Sequence, residues 1–334
     1  MKWFLTIPIV FILGFTASTQ DPQFSQFYAT PMYLNPAFVG NTDQGRITAI
    51  YRNQWPAIPK AFISYAVTYD HNLMDFNSGI GLMVIHDKAG TGGLKYTSVG
   101  GMYSYQVRLN RKVVLRPGVR ASYVWRSLDA DKLTFGDELA RGEGFNTSES
   151  GISQRSSYLD ISAGLVLYSS KFWIGAAFDH LNQPNQSLLE SGEAKLPLKY
   201  SAHVGYNIAV KKGVKGKMKS NLTVVANYKA QQKWDQFDVG VYFKQEPLIF
   251  GLWYRGIPGL KQYDKGYANN DAVIAMVGVK AGSIHIAYSY DLTISRLITN
   301  TGGSHEISLI WEYETDRNRK KKRRQKFLVP CAKF

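Results

Sequence analysis

The sequence predicts a single antiparallel, up-and-down β-barrel of about 14 strands that spans a membrane. Three observations favour this fold: apolar and polar residues alternate along most of the chain, no stretch has a helical period, and short connections alternate with long ones. A period of two is typical of strands that have one apolar face. With 334 residues, of which 19% are charged, the chain is long enough for one large domain.

The first element, residues 1–19, is predicted to be a signal peptide. Lys2 precedes an apolar run at 3–15, and the small residues Ala17 and Thr19 stand where a cleavage site before Gln20 requires them. The run is shorter than the roughly 20 residues of a spanning helix. We therefore expect export from the cytoplasm.

The single Cys excludes a disulfide framework.

The second element, residues 20–44, is predicted to be an ordered, extended leader. Its prolines disfavour a regular helix or a central strand, whereas its large apolar side chains need a partner. The leader either plugs the barrel lumen or caps the periplasmic rim and contacts a partner; a flexible leader is the third interpretation. The candidate partner-binding residues are Phe24, Phe27, Tyr28, Asn35 and Pro36.

The third element, residues 45–315, is predicted to form the barrel. In 112–125 the odd positions are mostly apolar and the even positions include Arg116 and Arg120, and the same alternation recurs along the chain. The predicted strands are 45–54, 60–71, 78–87, 94–109, 112–127, 157–169, 171–181, 198–210, 220–231, 236–245, 248–256, 271–281, 283–294 and 304–314.

Connection lengths favour a membrane barrel over a soluble β-sandwich. Tight turns such as 109–111 and 281–283 follow even-numbered strands, whereas the long connections 129–156, 182–197 and 257–270 follow odd-numbered ones. Outer-membrane barrels have short periplasmic turns and long outer loops. The predicted strands are also longer than those of an average sandwich. Tyr123, Trp125, Trp311 and Tyr313 are candidate interface aromatics.

The polar face of these strands is predicted to line the lumen. The small inward residues Ser162, Gly164, Ser201 and Gly205 would leave an aqueous path in a barrel of this size. His203 and His285 also point inward, and with Asp160, Asp238 or Asp291 they could build an acid-base site. Since no nucleophile motif is present and lumen salt bridges explain these residues equally well, we expect no enzyme activity, cofactor or metal.

The fourth element, residues 316–334, is a basic tail. The chain has a net charge of +15, and after removal of the signal peptide all of the excess lies in 211–219 and in 317–334. The neutral body argues against nucleic-acid binding. We expect both segments, and both termini, on the periplasmic side, where they would bind an acidic envelope protein or, alternatively, anionic lipid heads. The candidate residues are Lys211, Lys212, Lys320, Lys321, Lys322, Arg323 and Arg324.

The predicted mature chain begins with QDPQFSQFY at 20–28, followed by LNPAFVG at 34–40. These motifs resemble the PorP/SprF family of outer-membrane proteins, which belong to the type IX secretion and gliding machinery of Bacteroidota. The resemblance implies a barrel that works with type IX secretion components in the export or surface attachment of large adhesin-like cargo bearing a type B C-terminal domain. The alternative is a passive or substrate-specific pore, and the leader motif favours the secretion role.

Overall fold

A computed structural model describes residues 21–58, 62–90, 93–129, 140, 155–189, 192–212, 218–257, 269–295 and 301–314. The predicted signal peptide, the tail and most of 129–156 and 257–270 lie outside the described residues. The expectations about them stay predictions.

Within the described residues, one antiparallel sheet of fifteen strands closes on itself. The first strand pairs with the last, and β4 pairs with β6, so that the two-residue β5 only prolongs β4 beyond the barrel wall. Fourteen strands thus form the barrel, as the sequence predicts. The strands are β1 (Gly45–Gln54), β2 (Phe62–Leu73), β3 (Ser78–Ala89), β4 (Leu94–Tyr105), β5 (Val107–Arg108), β6 (Val114–Ser127), β7 (Arg155–Tyr168), β8 (Phe172–Asp179), β9 (Lys199–Lys212), β10 (Met218–Gln231), β11 (Trp234–Gln245), β12 (Leu248–Ile257), β13 (Asn269–Ala281), β14 (Ile284–Thr293) and β15 (Ser304–Tyr313).

The alternating pattern separates the two faces of the wall. In β9, Val204 and Tyr206 point outward and are 44% and 48% exposed, whereas Ser201 and His203 point inward and are buried. Apolar side chains on the outer face need no protein core, because lipid provides their apolar surroundings. Trp125 lies on the outer face near one end of its strand, and Trp311 lies near the opposite end of the barrel.

The helices of the described chain are short. They are α1 (Pro31–Leu34) and two 3₁₀ turns, Pro36–Phe38 and Met74–Phe76. None of the described helices has the length and apolar character needed to cross a membrane.

The two ends of the barrel differ in their connections. We call the end with the turns 74–77, 169–171, 246–247 and 282–283 the short-turn rim, and the opposite end the long-loop rim. The long-loop rim carries the connections 128–154, 180–198 and 258–268, together with short connections at 90–93 and 232–233. Gly45, where β1 begins, and Tyr313, where β15 ends, are paired at the short-turn rim.

Candidate functional site in the barrel lumen

The leader lies inside the barrel and crosses it from rim to rim. Asp21 contacts Lys199 and His180, which flank the connection between β8 and β9 at the long-loop rim. At the other end, the Gly40 N–H donates to Asp70 at 2.9 Å, close to the short-turn rim. The described leader residues 21–40 therefore lie within the lumen.

The described chain has its two ends at opposite rims, whereas the expectation that both termini are periplasmic stays a prediction, because residues 1–20 and 315–334 lie outside the described residues. The described chain begins with Asp21 at the long-loop rim, whereas Tyr313 ends β15 at the short-turn rim. The physical reason is that the apolar leader side chains find their contacts along the inner wall. A segment that enters at Gly45 and follows this wall leaves the barrel at the opposite end.

We call residues 35–40 the lower leader, which is held by a close fit. Asn35 Oδ1 accepts the Ala37 N–H at 2.9 Å and so caps the 3₁₀ turn. The Asn35 amide nitrogen donates to the Ala176 carbonyl at 3.0 Å and lies 3.0 Å from His203 Nε2. Pro36 occupies the first position of the turn, where its missing N–H costs no hydrogen bond.

Inward glycines make room for the lower leader. A Cβ added to Gly118 would lie 2.5 Å from the Cα of Ala37, and a Cβ on Gly164 would overlap the Asn35 side chain. The space beside Gly205 is filled by the Trp173 indole. The leader and a tryptophan thus occupy the space beside Gly164 and Gly205. An aqueous path elsewhere in the lumen stays a prediction.

We call residues 21–28 the upper leader, which is held by polar contacts. The Ser25 hydroxyl accepts from Arg52 Nη1 at 2.8 Å and from Arg255 Nη2 at 2.9 Å, and it donates to Asp291 Oδ2 at 2.6 Å. The two carboxylate oxygens of Glu306 accept the backbone N–H groups of Ser25 and Gln26, each at 2.8 Å.

The wall residues around Ser25 form a buried ionic network. Arg52 lies 3.0 Å from Asp291 and from Glu306, and Arg255 lies 2.8 Å from Asp238 and 3.3 Å from Asp291. Buried charges are tolerated only when ion pairs and hydrogen bonds replace their hydration. The Ser25 hydroxyl and two leader amides supply part of that replacement.

A second charged cluster holds the outer end of the leader. His180 follows β8 with a φ of 61° and lies 2.9 Å from Asp160 and 3.1 Å from Asp21. Asp179 instead pairs with Arg120 at 2.7 Å. The adjacent Asp179 and His180 thus point to different partners.

We call Asp21, Asp160, His180 and Lys199 the rim cluster. Its charges shift the pKa values of His180 and Asp21, which lie outside the strands. Burial by itself lowers the pKa of His180, but the carboxylates of Asp21 and Asp160 outweigh it and raise the pKa to about 9. Burial likewise raises the pKa of Asp21, yet Lys199 and His180 hold that pKa well below its usual range. Near neutral pH the cluster therefore holds opposite charges in contact.

The connection between β8 and β9 covers part of the lumen above the leader. Leu196 is buried against Val124 and Tyr158 on the inner wall. Arg126 Nη1 donates to Gln186 Oε1 at 2.6 Å. This connection folds inward over the wall formed by β6 and β7.

The predicted leader residues pack against the barrel wall or against the leader itself. Phe27 packs on Trp253 and Tyr28 on Tyr242, with ring centroids 5.2 and 5.6 Å apart, and Phe24 packs on Tyr33 of the leader itself. Asn35 and Pro36 occupy the lower leader. Binding of an external partner by these five residues stays a prediction.

The other predicted residues are not brought into one site. His203 lies against Asn35 and the Phe38 ring, and no group of three or more metal-ligating side chains was found in the described part of the chain. Lys211 and Lys212 end β9 at the short-turn rim, and their side chains lie outside the described set. Residues 320–324 also lie outside it, so the basic surface stays a prediction.

Sequence reasoning missed the polar residues of the upper leader. The sequence does not predict a role for Ser25 or Gln26, because the apolar leader residues give the stronger signal. The usable signal was the set of charged residues at inward positions near the long-loop ends of their strands: Arg52, Asp238, Arg255, Asp291 and Glu306. Such charges inside a barrel require partners.

A closed antiparallel barrel with an apolar outer face and polar inward residues defines an outer-membrane β-barrel protein. The family model of the type IX secretion system membrane protein PorP/SprF matches residues 16–311. The chain belongs to this family.

Solved structures with a similar barrel include the outer membrane protein Omp33 of Acinetobacter baumannii, with 7% identity, a TM-score of 0.44 and coverage of 82% of this chain and 100% of that one. A FadL homologue of Pseudomonas aeruginosa has 12% identity, a TM-score of 0.45 and coverage of 84% and 93%. The CymD monoaromatic hydrocarbon channel has 10% identity, a TM-score of 0.44 and coverage of 86% and 93%. No match was found among curated proteins.

Proposed function

We propose that this protein is an outer-membrane accessory of the type IX secretion machinery whose lumen is closed by its own leader. In this role it supports the export or surface attachment of large adhesin-like cargo that bears a type B C-terminal domain. Family membership supports the secretion role. The observation that favours an accessory over a pore is the passage of the leader through the lumen, with contacts at both rims.

The leader contacts the wall on several sides. Ser25 bonds to residues of β1, β12 and β14, whereas Asn35 bonds to β7 and β8 and lies against β9. Gly40 and Val39 contact β2 and β4. Diffusion of a solute through the lumen would require these contacts to break. The geometry therefore favours a protein that binds partners at its rims.

Two surfaces are proposed for partners. The long-loop rim faces the cell exterior in barrels of this type and would hold the cargo domain. The short-turn rim faces the periplasm, where Lys211, Lys212 and the basic tail at 320–324 would contact an acidic envelope protein of the secretion machinery.

Conductance and cargo display test this proposal together. In planar bilayers the full chain should give no steady open state, and cells that lack the protein should lose surface display of a reporter fused to a type B C-terminal domain. Re-expression of the wild-type chain is the matched control and should restore display. A steadily open wild-type channel, combined with normal display in the deletion strain, would overturn the proposal in favour of the pore.

A further inference from the structure

We propose that the wall around the upper leader is a binding site for a short peptide segment that bends as residues 25–29 do. The leader fills this site within its own chain, and a segment of the secreted cargo takes its place when cargo binds. The inference rests on the proposed function for the source of the peptide, but the site itself is argued from the contacts in the lumen.

The site belongs to the barrel wall. Arg52, Arg255, Asp291 and Glu306 lie on four different strands, β1, β12, β14 and β15, and the pairing of the closed sheet sets their positions. The leader contributes no strand to this sheet and contacts the wall as a ligand would. Closure of the barrel therefore assembles these charged groups whether or not residues 21–28 are in place.

The contacts recognise a polypeptide backbone first. Glu306 uses both carboxylate oxygens to accept two consecutive backbone N–H groups, from Ser25 and Gln26. The two N–H groups point to one carboxylate because the chain bends here, where the Phe27 N–H donates to the Ser25 carbonyl at 3.1 Å. A peptide that bends in the same way and has no proline at these positions offers the same pair of donors. Hydrogen bonds to a charged acceptor of this kind are the strong ones.

The side chains then add selectivity for a hydroxyl followed by a carboxamide. The Ser25 hydroxyl is bracketed by two guanidinium groups and Asp291. The Gln26 amide nitrogen donates to the Glu306 carbonyl at 2.9 Å and to Ser289 Oγ at 3.1 Å, and its oxygen accepts from Ser308. The ligand class is thus a peptide with Ser or Thr followed by Gln or Asn.

The leader does not satisfy the site completely. Asp291 Oδ1 is buried and has no hydrogen-bond partner among the described residues, although Oδ2 of the same carboxylate is fully engaged. A buried carboxylate oxygen without a donor is a cost that a better ligand can remove. A peptide with one more donor at this position would bind the wall more strongly than the leader does.

The way the leader is held permits this exchange. The glycines whose added Cβ would overlap the leader, Gly79, Gly81, Gly118 and Gly164, meet residues 32–40 and none of residues 21–28. Pro31 lies within the short segment 29–34 between the two parts, and Pro36 lies at the start of the lower leader. The upper leader can therefore leave the wall while the lower leader still closes the barrel.

Binding of a labelled peptide to the folded chain tests the site. The probe is a fluorescent peptide with the sequence of residues 21–30, DPQFSQFYAT, and binding to the full chain in detergent is followed by fluorescence anisotropy. In the S25A/Q26A variant the chain's own leader is weakened and the wall is intact. This variant should bind the probe at least tenfold more tightly than the wild-type chain does.

Two controls distinguish specific recognition of the peptide sequence from nonspecific binding to the protein. A control peptide has Ala in place of the residues that correspond to Ser25 and Gln26, and it should bind the S25A/Q26A variant at least tenfold more weakly than the original probe does. The original probe should also bind at least tenfold more weakly when Glu306→Gln is added to that variant. If the triple variant does not fold, the altered peptide alone carries the test. Binding no tighter than wild type by a folded S25A/Q26A variant, or equal binding of both peptides, overturns the site.

The cellular experiment distinguishes this inference from the proposed function. Loss of cargo display without the protein, together with no specific peptide binding, overturns the peptide site alone. Specific peptide binding with normal display in the deletion strain overturns the proposed function and the assignment of the peptide to cargo.

Discussion

The upper and lower leader fill the same lumen by different means. The lower leader, 35–40, fits against glycines of β3, β6 and β7 at distances that leave no space for a Cβ. The upper leader, 21–28, is held by hydrogen bonds to a buried ionic network and by aromatic contacts. A steric fit is lost when an atom is added, whereas a polar fit is lost when a donor or a charge is removed.

The difference indicates which part of the leader moves. Complementary shape at the short-turn rim holds the segment next to its covalent attachment at β1. Polar contacts near the long-loop rim can be exchanged for those of another ligand or of water. We infer that the lower leader closes the barrel and that the upper leader regulates access from the long-loop side. The predictions below test this division in order of decreasing effect.

The largest effect is expected when a cation is removed from the network. Arg255→Met leaves the buried Asp238 carboxylate without its partner at 2.8 Å, and breaking a buried ion pair costs about 3–5 kcal/mol in the free energy of unfolding. Urea titration of the barrel in lipid vesicles measures the change. Lys195→Met, in a pair with Glu193 that is 65% and 70% exposed, is the matched control and should leave stability unchanged. Equal effects of the two variants would contradict the role of the network.

The next effect tests the steric fit of the lower leader. Gly118→Ala places a Cβ 2.5 Å from the Cα of Ala37 and should lower the free energy of unfolding by about 1–3 kcal/mol. Gly101→Ala is the control, because a Cβ there meets no atom within 4 Å. It should change stability by less than about 0.5 kcal/mol. A harmless Gly118→Ala would show that the lower leader is held loosely.

A smaller effect is expected from Ser25→Ala. The variant removes one hydroxyl between two guanidinium groups and Asp291, and a buried group left unsatisfied costs about 1–3 kcal/mol. If the upper leader moves separately, most of this change should appear as faster proteolysis near residue 25 in the folded barrel. Unchanged proteolysis together with a lower global stability would mean that the leader moves only when the barrel unfolds.

The pH dependence of the rim cluster should be smaller still. Since the folded-state pKa of His180 is raised from 6.5 to about 9, its contribution to stability is fully present below pH 6.5 and is lost as the pH rises through about 9. Proteolysis of the upper leader should therefore accelerate between pH 8 and pH 10. His180→Asn should remove this dependence. A flat profile in the wild-type chain would show that the cluster does not hold Asp21.

The last prediction concerns the side of the outer membrane on which each end of the chain lies, and the inserted epitopes should leave stability unaltered. An epitope inserted between Gln20 and Asp21 should be labelled by antibody on intact cells, because Asp21 lies at the long-loop rim. An epitope after Phe334 should be labelled only after the outer membrane is permeabilised. Labelling of the first epitope only in permeabilised cells would place the long-loop rim in the periplasm.

The site was predicted less completely than the fold. The sequence predicted an ordered leader from its large apolar side chains and named Asn35 and Pro36 as candidate partner-binding residues, which stays a prediction. It did not indicate Ser25 or Gln26, most of whose wall partners lie more than two hundred residues away; Ser25 and Glu306 are 281 positions apart. Short polar side chains carry no local signal of such contacts.

The sequence by itself determined the barrel, its strand number and the two faces of its wall. Each strand alternates apolar and polar residues with a period of two, and a shift of the strand register by one residue would turn its inward charges toward lipid. Only the tertiary structure decided that residues 21–40 lie inside the lumen and that Asp21 is placed at the long-loop rim. Inward glycines and serines suit a water path and a packed leader equally well. The choice depends on contacts between residues far apart in the chain, which form only once the barrel has closed.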